Sequence, residues 1–227
     1  TLRDCAIIGY NSTATALQVK GNSPASVSIF NSNFSGGLYG IYVAPEAGIT
    51  ADNVYVFNNT YGIYFNSSNN GNRITSSSFS NNSEDTLTLL NIQGNYFAGI
   101  NILSAGDTSN NGVIRLVNSS DNYFTGSSFV TSQNFIPYLT SYSVNNTFYS
   151  CNYLAVKEVT DATSQLMRSW AFNAIVQDKG KNKLQGAKVT AISSQLTNIT
   201  INYSTGKQLS YGYLSDTSLT NSPGQAY

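Results

Sequence analysis

The sequence predicts an all-β protein: a right-handed parallel β-helix of about six turns with a small second β-unit behind it. Three observations predict it. A pattern recurs every 22 to 27 residues through most of the chain. The repeats are short β-branched and aromatic runs divided by Asn, Ser, Thr and Gly, which favour turns and ladders over helices. Beyond Thr160 the repeat stops and a hairpin pattern replaces it.

The repeat is read from coincident offsets. Tyr-Gly-Ile-Tyr-Val at 39–43 returns as Tyr-Gly-Ile-Tyr-Phe at 61–65, an offset of 22. Asn72, Asn95, Asn122 and Asn146 are spaced by 23, 27 and 24. Two residues after each stand Ile74, Phe97, Phe124 and Phe148, and seven after each stand Phe79, Ile102, Phe129 and Tyr153. Phe34 and Phe57 lead toward Phe79 at spacings of 23 and 22. Leucine-rich repeats share the period, but their Leu-x-x-Leu-x-Leu pattern is absent. In a parallel β-helix, equivalent residues of successive turns stack about 4.8 Å apart. The Phe and Ile rows then form an internal apolar ladder, and the Asn row bonds to itself at a corner. Val54 to Phe57, Ser76 to Phe79 and Val113 to Val117 have the short strand character such turns require. The β-helix is placed at 1–160.

Charged residues are 10 % of the 227, the formal net charge is zero and histidine is absent. Such a chain has no field to draw in nucleic acid or an anionic membrane. Hydrophobic residues reach 41 %, enough to bury a core, and no apolar run is long enough to span a bilayer. Thr1 opens on strand-like sequence without an initiating Met or a signal peptide. The expectation is the mature or ordered part of something longer.

Residues 161–168 read as a linker or short helical cap, and 169–227 as a separate unit. Trp170 to Val176 and Leu184 to Ile192 alternate on either side of a charged, Gly-containing turn at Asp178 to Lys183, which is a hairpin pattern. Asn198 to Ser204 and Gln208 to Leu214 supply further strands.

Segments such as Asn53 to Asn59 and Asn72 to Asn82 resemble the repeats of NosD-like, or CASH-type, β-helix domains of carbohydrate-binding and sugar-hydrolase proteins. That resemblance covers about two thirds of the chain and speaks to architecture more than activity. Val176-Gln-Asp178 followed by Leu184 to Thr190 resembles the first hairpin of carboxypeptidase-regulatory-like, Ig-type sandwiches of surface proteins, especially archaeal ones. The resemblance implies that 169–227 is an Ig-like β-sandwich, with the chain ending about one strand short. Truncation or disorder beyond Tyr227 is the plainer account of that end. Donation of the strand by a neighbouring subunit is the sharper one.

No catalytic residue is assigned. Glycoside hydrolysis needs two flanking carboxylates, and only Glu84 and Asp85 are adjacent among the acids before the linker; they read as a solvated corner. Asp52 and Arg73, 21 residues apart, could lie on neighbouring turns as an exposed ion pair. No metal site and no cofactor are expected: soft ligands are limited to two cysteines, and Asp107 to Gly112 reads as a plain turn rather than a calcium loop. Cys5 and Cys151 fall on the first and last turns, too far apart to bridge, and are expected as two buried thiols.

Two sets of residues remain as candidate sites. Sequons place glycosylation candidates at Asn11, Asn33, Asn58, Asn66, Asn81, Asn118, Asn145, Asn198 and Asn202. A chain so rich in Asn, Ser and Thr also produces sequons by chance. Tyr42 and Tyr64, equivalent in successive repeats, are a candidate glycan-contact face; internal packing is the alternative. The leading expectation is a non-catalytic structural component of a cell-surface layer, sheath or extracellular filament. Its partners would be copies of itself and glycans, with no nucleic acid and no membrane insertion. A carbohydrate-binding adhesin is the second reading, and a polysaccharide lyase or hydrolase the third.

Overall fold

The computed structural model of the chain describes residues 1–21, 25–67, 70–103, 113–129, 136–153, 158–169, 174–175, 178–181, 188–192, 215–219 and 225–226. It divides into two units, Thr1–Ser169 and Trp170–Tyr227.

The first unit is a parallel β-solenoid of three sheets. The first sheet stacks Leu2–Arg3, Ala25–Phe30, Ala47–Asp52, Arg73–Thr75, Tyr96–Ala98, Tyr123–Thr125, Asn146–Tyr149 and Leu166–Ser169. The second stacks Ala6–Ile8, Asn33–Ser35, Tyr55–Phe57, Ser78–Ser80, Asn101–Ile102 and Ser128–Phe129. The third stacks Thr15–Val19, Tyr39–Val43, Tyr61–Asn66, Leu87–Leu90, Ile114–Val117, Tyr138–Thr140 and Val159–Thr160. The chain visits the sheets in that order on every turn. The second sheet's strands mark six complete turns, and in the seventh turn a single bridge from Asn152 to Ser128 replaces that strand. The segment read as a linker or helical cap instead contains the eighth strand of the first sheet, with Leu166 opposite Asn146 and Ser169 opposite Tyr149. Leu166 packs on the core there, and burying that side chain favours one more parallel pairing over a free linker.

Inward positions stack in register. In the first sheet the row runs Ile29, Ala51, Ile74, Phe97, Phe124, Phe148. Phe97 and Phe124 stack at 4.5 Å between centroids, and Phe124 and Phe148 at 4.3 Å. The second sheet's row is Ile7, Phe34, Val56, Phe79, Ile102, Phe129. This corrects the reading at one place, for Phe57 pairs with Ser35 and Ser80 on the outward face while Val56 holds the core position. Strand side chains alternate, so a slip of one residue exchanges inside for outside. The third sheet contributes Ile41, Ile63, Leu87, Ile114 and Val43, Phe65, Leu89, Leu116, Leu139. All of these but Ile7, which is partly buried, are buried in one continuous cluster.

The corner between the first and second sheets explains much of the polar composition. Asp4, Asn31, Asn53, Ser76, Gly99, Gly126 and Ser150 form one column, every member at positive φ. Each donates its backbone N–H to a carbonyl of the next turn. Asn, Asp and Gly tolerate that left-handed conformation better than branched residues do. The next residues along form a second column: Cys5, Ser32, Val54, Ser77, Ile100, Ser127 and Cys151. In it Ser32, Ser77 and Ser127 each bond the carbonyl two residues back and accept a backbone N–H from the turn before. Cys5 and Cys151 follow the same rule through sulfur, to the carbonyls of Arg3 and Tyr149. Six rungs of about 4.8 Å separate them, and both are free thiols. Cys151 is buried as expected, but Cys5 is only half-buried.

In the second unit, Ala174–Ile175 pairs antiparallel with Gln225–Ala226, and Lys188–Ile192 pairs antiparallel with Ser215–Leu219. Most of the expected hairpin, and the expected strands at 198–204 and 208–214, lie outside the described residues.

Candidate glycan-contact face

The outward side of the third sheet carries the densest group of functional side chains. Its foundation is the Tyr-Gly-Ile-Tyr repeat. Ile41 and Ile63 turn inward, and Gly40 and Gly62 lie where the backbone passes close to the corner. A Cβ on Gly40 would collide with Val56 Cγ1 and come within 2.8 Å of Asn59 Nδ2; one on Gly62 would collide with the Thr86 carbonyl. The tight glycine leaves both tyrosines of each repeat half-exposed on one surface.

Tyr39, Tyr42, Tyr61 and Tyr64 form a four-ring shelf. Tyr39 stacks on Tyr61 at 5.3 Å and Tyr42 on Tyr64 at 5.9 Å. Tyr39 also lies 5.1 Å from Tyr42 and 5.2 Å from Tyr64, tying the columns together. Partial burial raises the pKa of Tyr39, Tyr61 and Tyr64, which favours the protonated, neutral form of these three phenols. Asn66, at the end of the same strand, donates its side-chain amide to the Tyr42 hydroxyl at 2.8 Å. Tyr55 is not part of the shelf: it sits on the second sheet against Phe57, at 4.5 Å.

One turn further the column passes from Tyr64 to Thr88, Arg115 and Tyr138. Asp85 lies beside it, buried to 1 % exposure. Its Oδ2 accepts from Thr88 Oγ1 at 3.2 Å and faces Arg115 Nη1 at 3.6 Å. Burial pushes the carboxyl up to about 6, against the opposing pull of Arg115 and Thr88. The expected solvated corner is therefore wrong for Asp85, because a neighbouring turn rather than water surrounds it. Among the described residues, Asp85 Oδ1, Arg115 Nε and Thr86 Oγ1 have no hydrogen-bond partner.

The Asn row forms the ladder expected of it. Asn72 bonds Asn95, Asn95 bonds Asn122, and Asn122 bonds Asn146, each through both its backbone N–H and its side-chain amide. The sequence reading missed a second ladder at the corner between the second and third sheets. There Asn59 donates its backbone N–H and its amide to Asn82 Oδ1. The signal was present: the Asn-Asn pairs at 58–59 and 81–82 are 23 residues apart, one repeat.

The sequons fall into groups. Asn58, Asn81, Asn118 and Asn145 are exposed corner residues at positive φ, which gives a backbone reason for asparagine there. Asn11 is exposed and closes its own turn onto Thr13 and Ala14. Asn33 is exposed on the second sheet and Asn66 half-buried on the third; Asn198 and Asn202 lie outside the described residues. Asp52 and Arg73 go to separate partners: Thr75 donates to Asp52 at 2.6 Å, and Arg73 lies over the Tyr96 ring at 4.5 Å. Asp107 to Gly112 lies outside the described residues. A groove of about 410 Å³ on the second sheet is lined, among the described residues, by Asn31, Asn33, Asn53, Val54, Tyr55, Ser78 and Leu103.

Three parallel sheets, stacked apolar rows and buried amide ladders define a parallel β-solenoid protein. Residues 1–188 match the family model described as periplasmic copper-binding protein (NosD), and the chain belongs to that family. The match runs through 161–168 and into the segment expected to begin an Ig-like domain. No curated protein and no solved structure matches the chain. The copper of the family description does not fit the donors of this chain. Copper sites draw on imidazole, thiolate and thioether ligands; here histidine is absent, there are one methionine and two cysteines, and the cysteines stand six rungs apart. Among the described residues no three of His, Cys, Asp and Glu come together.

Proposed function

We propose that this protein is a non-catalytic structural component of a layer, sheath or filament at the cell surface. In this reading the NosD-type solenoid is the stiff element and the unit from Trp170 onward is an Ig-like connector. The observation that carries it is the Asn72–Asn95–Asn122–Asn146 ladder, which ties four consecutive turns through the buried interior. Such a stack resists local opening, since each rung satisfies its neighbour's buried polar groups. The family description as periplasmic supports a place outside the cytoplasm. A non-catalytic role is supported by what the acids do: Asp52 holds Thr75, Glu158 bonds Tyr153 and Arg168, and Asp85 is enclosed. The partners are further copies of the chain. Surface labelling of intact cells, followed by sedimentation of the extracted protein, tests the proposal. Labelled protein that sediments as assemblies supports it, and an unlabelled or monomeric protein refutes it.

A second reading, carbohydrate contact, is favoured by the tyrosine shelf. Flat, neutral rings carrying hydroxyls suit the apolar face of a sugar and its hydroxyl edge. Glycan-array binding that is lost in Tyr42→Ala and Tyr64→Ala would place the contact on this face.

A further inference from the structure

The shelf stands beside Asn66, the last residue of the strand Tyr61–Asn66 and, in the sequence, the first of the sequon Asn66-Ser67-Ser68. Alternate residues of a strand share a face, so Asn66 projects on the same side as Tyr64, two residues before it. The Asn66 amide already touches the hydroxyl of Tyr42, one turn back, at 2.8 Å. Tyr42 and Tyr64 are stacked, with planes 16° apart and centroids 5.9 Å apart, and both are half-exposed beside that nitrogen. Among the described sequons, Asn66 is the one whose amide contacts a ring of this shelf.

From this juxtaposition we propose that Asn66 carries an N-linked glycan whose first sugars lie across Tyr42 and Tyr64, so that the shelf is covered by the chain's own carbohydrate. The proposal rests on the reading of this face as a glycan contact and names its occupant. In the modification, Nδ2 of Asn66 bonds to C1 of a sugar delivered as a lipid-linked pyrophosphate, the bond from C1 to the phosphate oxygen breaks, and the amide gives up one proton. The amide keeps its second hydrogen, which is enough to hold the bond to Tyr42. A sugar on that nitrogen begins beside the Tyr42 hydroxyl and packs its C–H groups against the exposed parts of the two stacked rings. The glycan also covers the most aromatic part of the third sheet's outward side.

The test is made on protein purified from its own host, as the native chain and as Ser68→Ala, which removes the sequon and leaves Asn66 in place. Mass spectrometry of the native peptide should find a glycan on Asn66. Its loss in Ser68→Ala, or its enzymatic removal, should raise nitration of Tyr42 and Tyr64 several-fold and lower the melting temperature by about 2–4 °C, the shift that one ordinary contact makes in a chain of this size. Tyr64→Phe, which keeps the ring, should retain most of this protection, and Tyr64→Ala should lose it. An unmodified Asn66, or a glycan whose removal leaves nitration unchanged, overturns the proposal. Where Asn66 proves unmodified, added free oligosaccharide separates the proposal from the broader reading: protection of the shelf keeps the glycan contact while discarding the covalent one, and no protection discards both.

Discussion

Asn95 accepts two hydrogen bonds from Asn72 on a single oxygen, from the backbone N–H and from the side-chain amide, both at 2.9 Å. Its own amide passes the pattern on to Asn122 at 2.7 Å and also donates to the Gln93 carbonyl. Asparagine alone among small residues offers a carbonyl and an amide on so short a stem. Asn95→Ala therefore removes the oxygen that accepts from two buried Asn72 groups and should destabilise the solenoid by about 2–4 kcal/mol in urea unfolding. Asn95→Asp, which loses the donor, should not rescue it. The exposed Asn118→Ala should cost about 1 kcal/mol or less, and equal losses at the two positions would contradict the ladder's role.

Register is tested by a pair of phenylalanines. Phe97 is fully buried and stacked between turns, so Phe97→Ala should cost about 3–5 kcal/mol. Phe57 faces outward against Tyr55, and Phe57→Ala should cost about 1 kcal/mol. The reverse order would contradict the register that turns Phe97 inward in the first sheet and Phe57 outward in the second.

Asp85 makes stability depend on pH in the direction opposite to most carboxylates. Its carboxyl titrates near 6 in the folded chain, against an ordinary 3.8. The folded value is the higher, so the native state holds the extra proton between them, and ionising Asp85 opposes folding. This group's contribution is most favourable below pH 3.8 and declines as pH rises through 6. The total change is about 2–3 kcal/mol. Asp85→Asn should remove that slope, which unfolding curves of the two proteins across the window would show. Parallel curves would refute the burial of the carboxylate.

The two thiols should differ in reactivity. Burial pushes Cys151 up to about 11, whereas Cys5 is half-exposed on the first rung. Thiolate, not thiol, is the reacting species, so a maleimide or aromatic disulfide reagent should label Cys5 in the native protein and Cys151 only after unfolding. Simultaneous labelling would contradict the placement of Cys151 in the core.

The sequence disclosed the solenoid because its rule is simple: equivalent residues stack, so offsets near 23 appear directly as rows. Asn72 through Asn146 and the Phe97 row were legible for that reason. Phe57 was misread because its spacing satisfied the period within one residue, and one residue is the difference between faces. The enclosure of Asp85 was not legible, since Arg115 reaches it from the next turn and only the register, Thr88 beside Arg115, reveals the approach. The tyrosine shelf was half legible. Tyr42 and Tyr64 announced their stacking by equivalence, but that Tyr39 and Tyr61 join them on the outer surface depends on the close packing of Gly40 and Gly62. Leu166–Ser169 has Leu166 where the row has Asn146 and Arg168 where it has Phe148, and so escaped the repeat, although its backbone pairs as the others do.

The most direct measurement is electron microscopy of the native material before and after mild dissociation. The structural reading predicts ordered filaments or sheets in the native material that come apart into the single chain and re-form when the dissociating conditions are removed. A dispersed monomer in both preparations would contradict it.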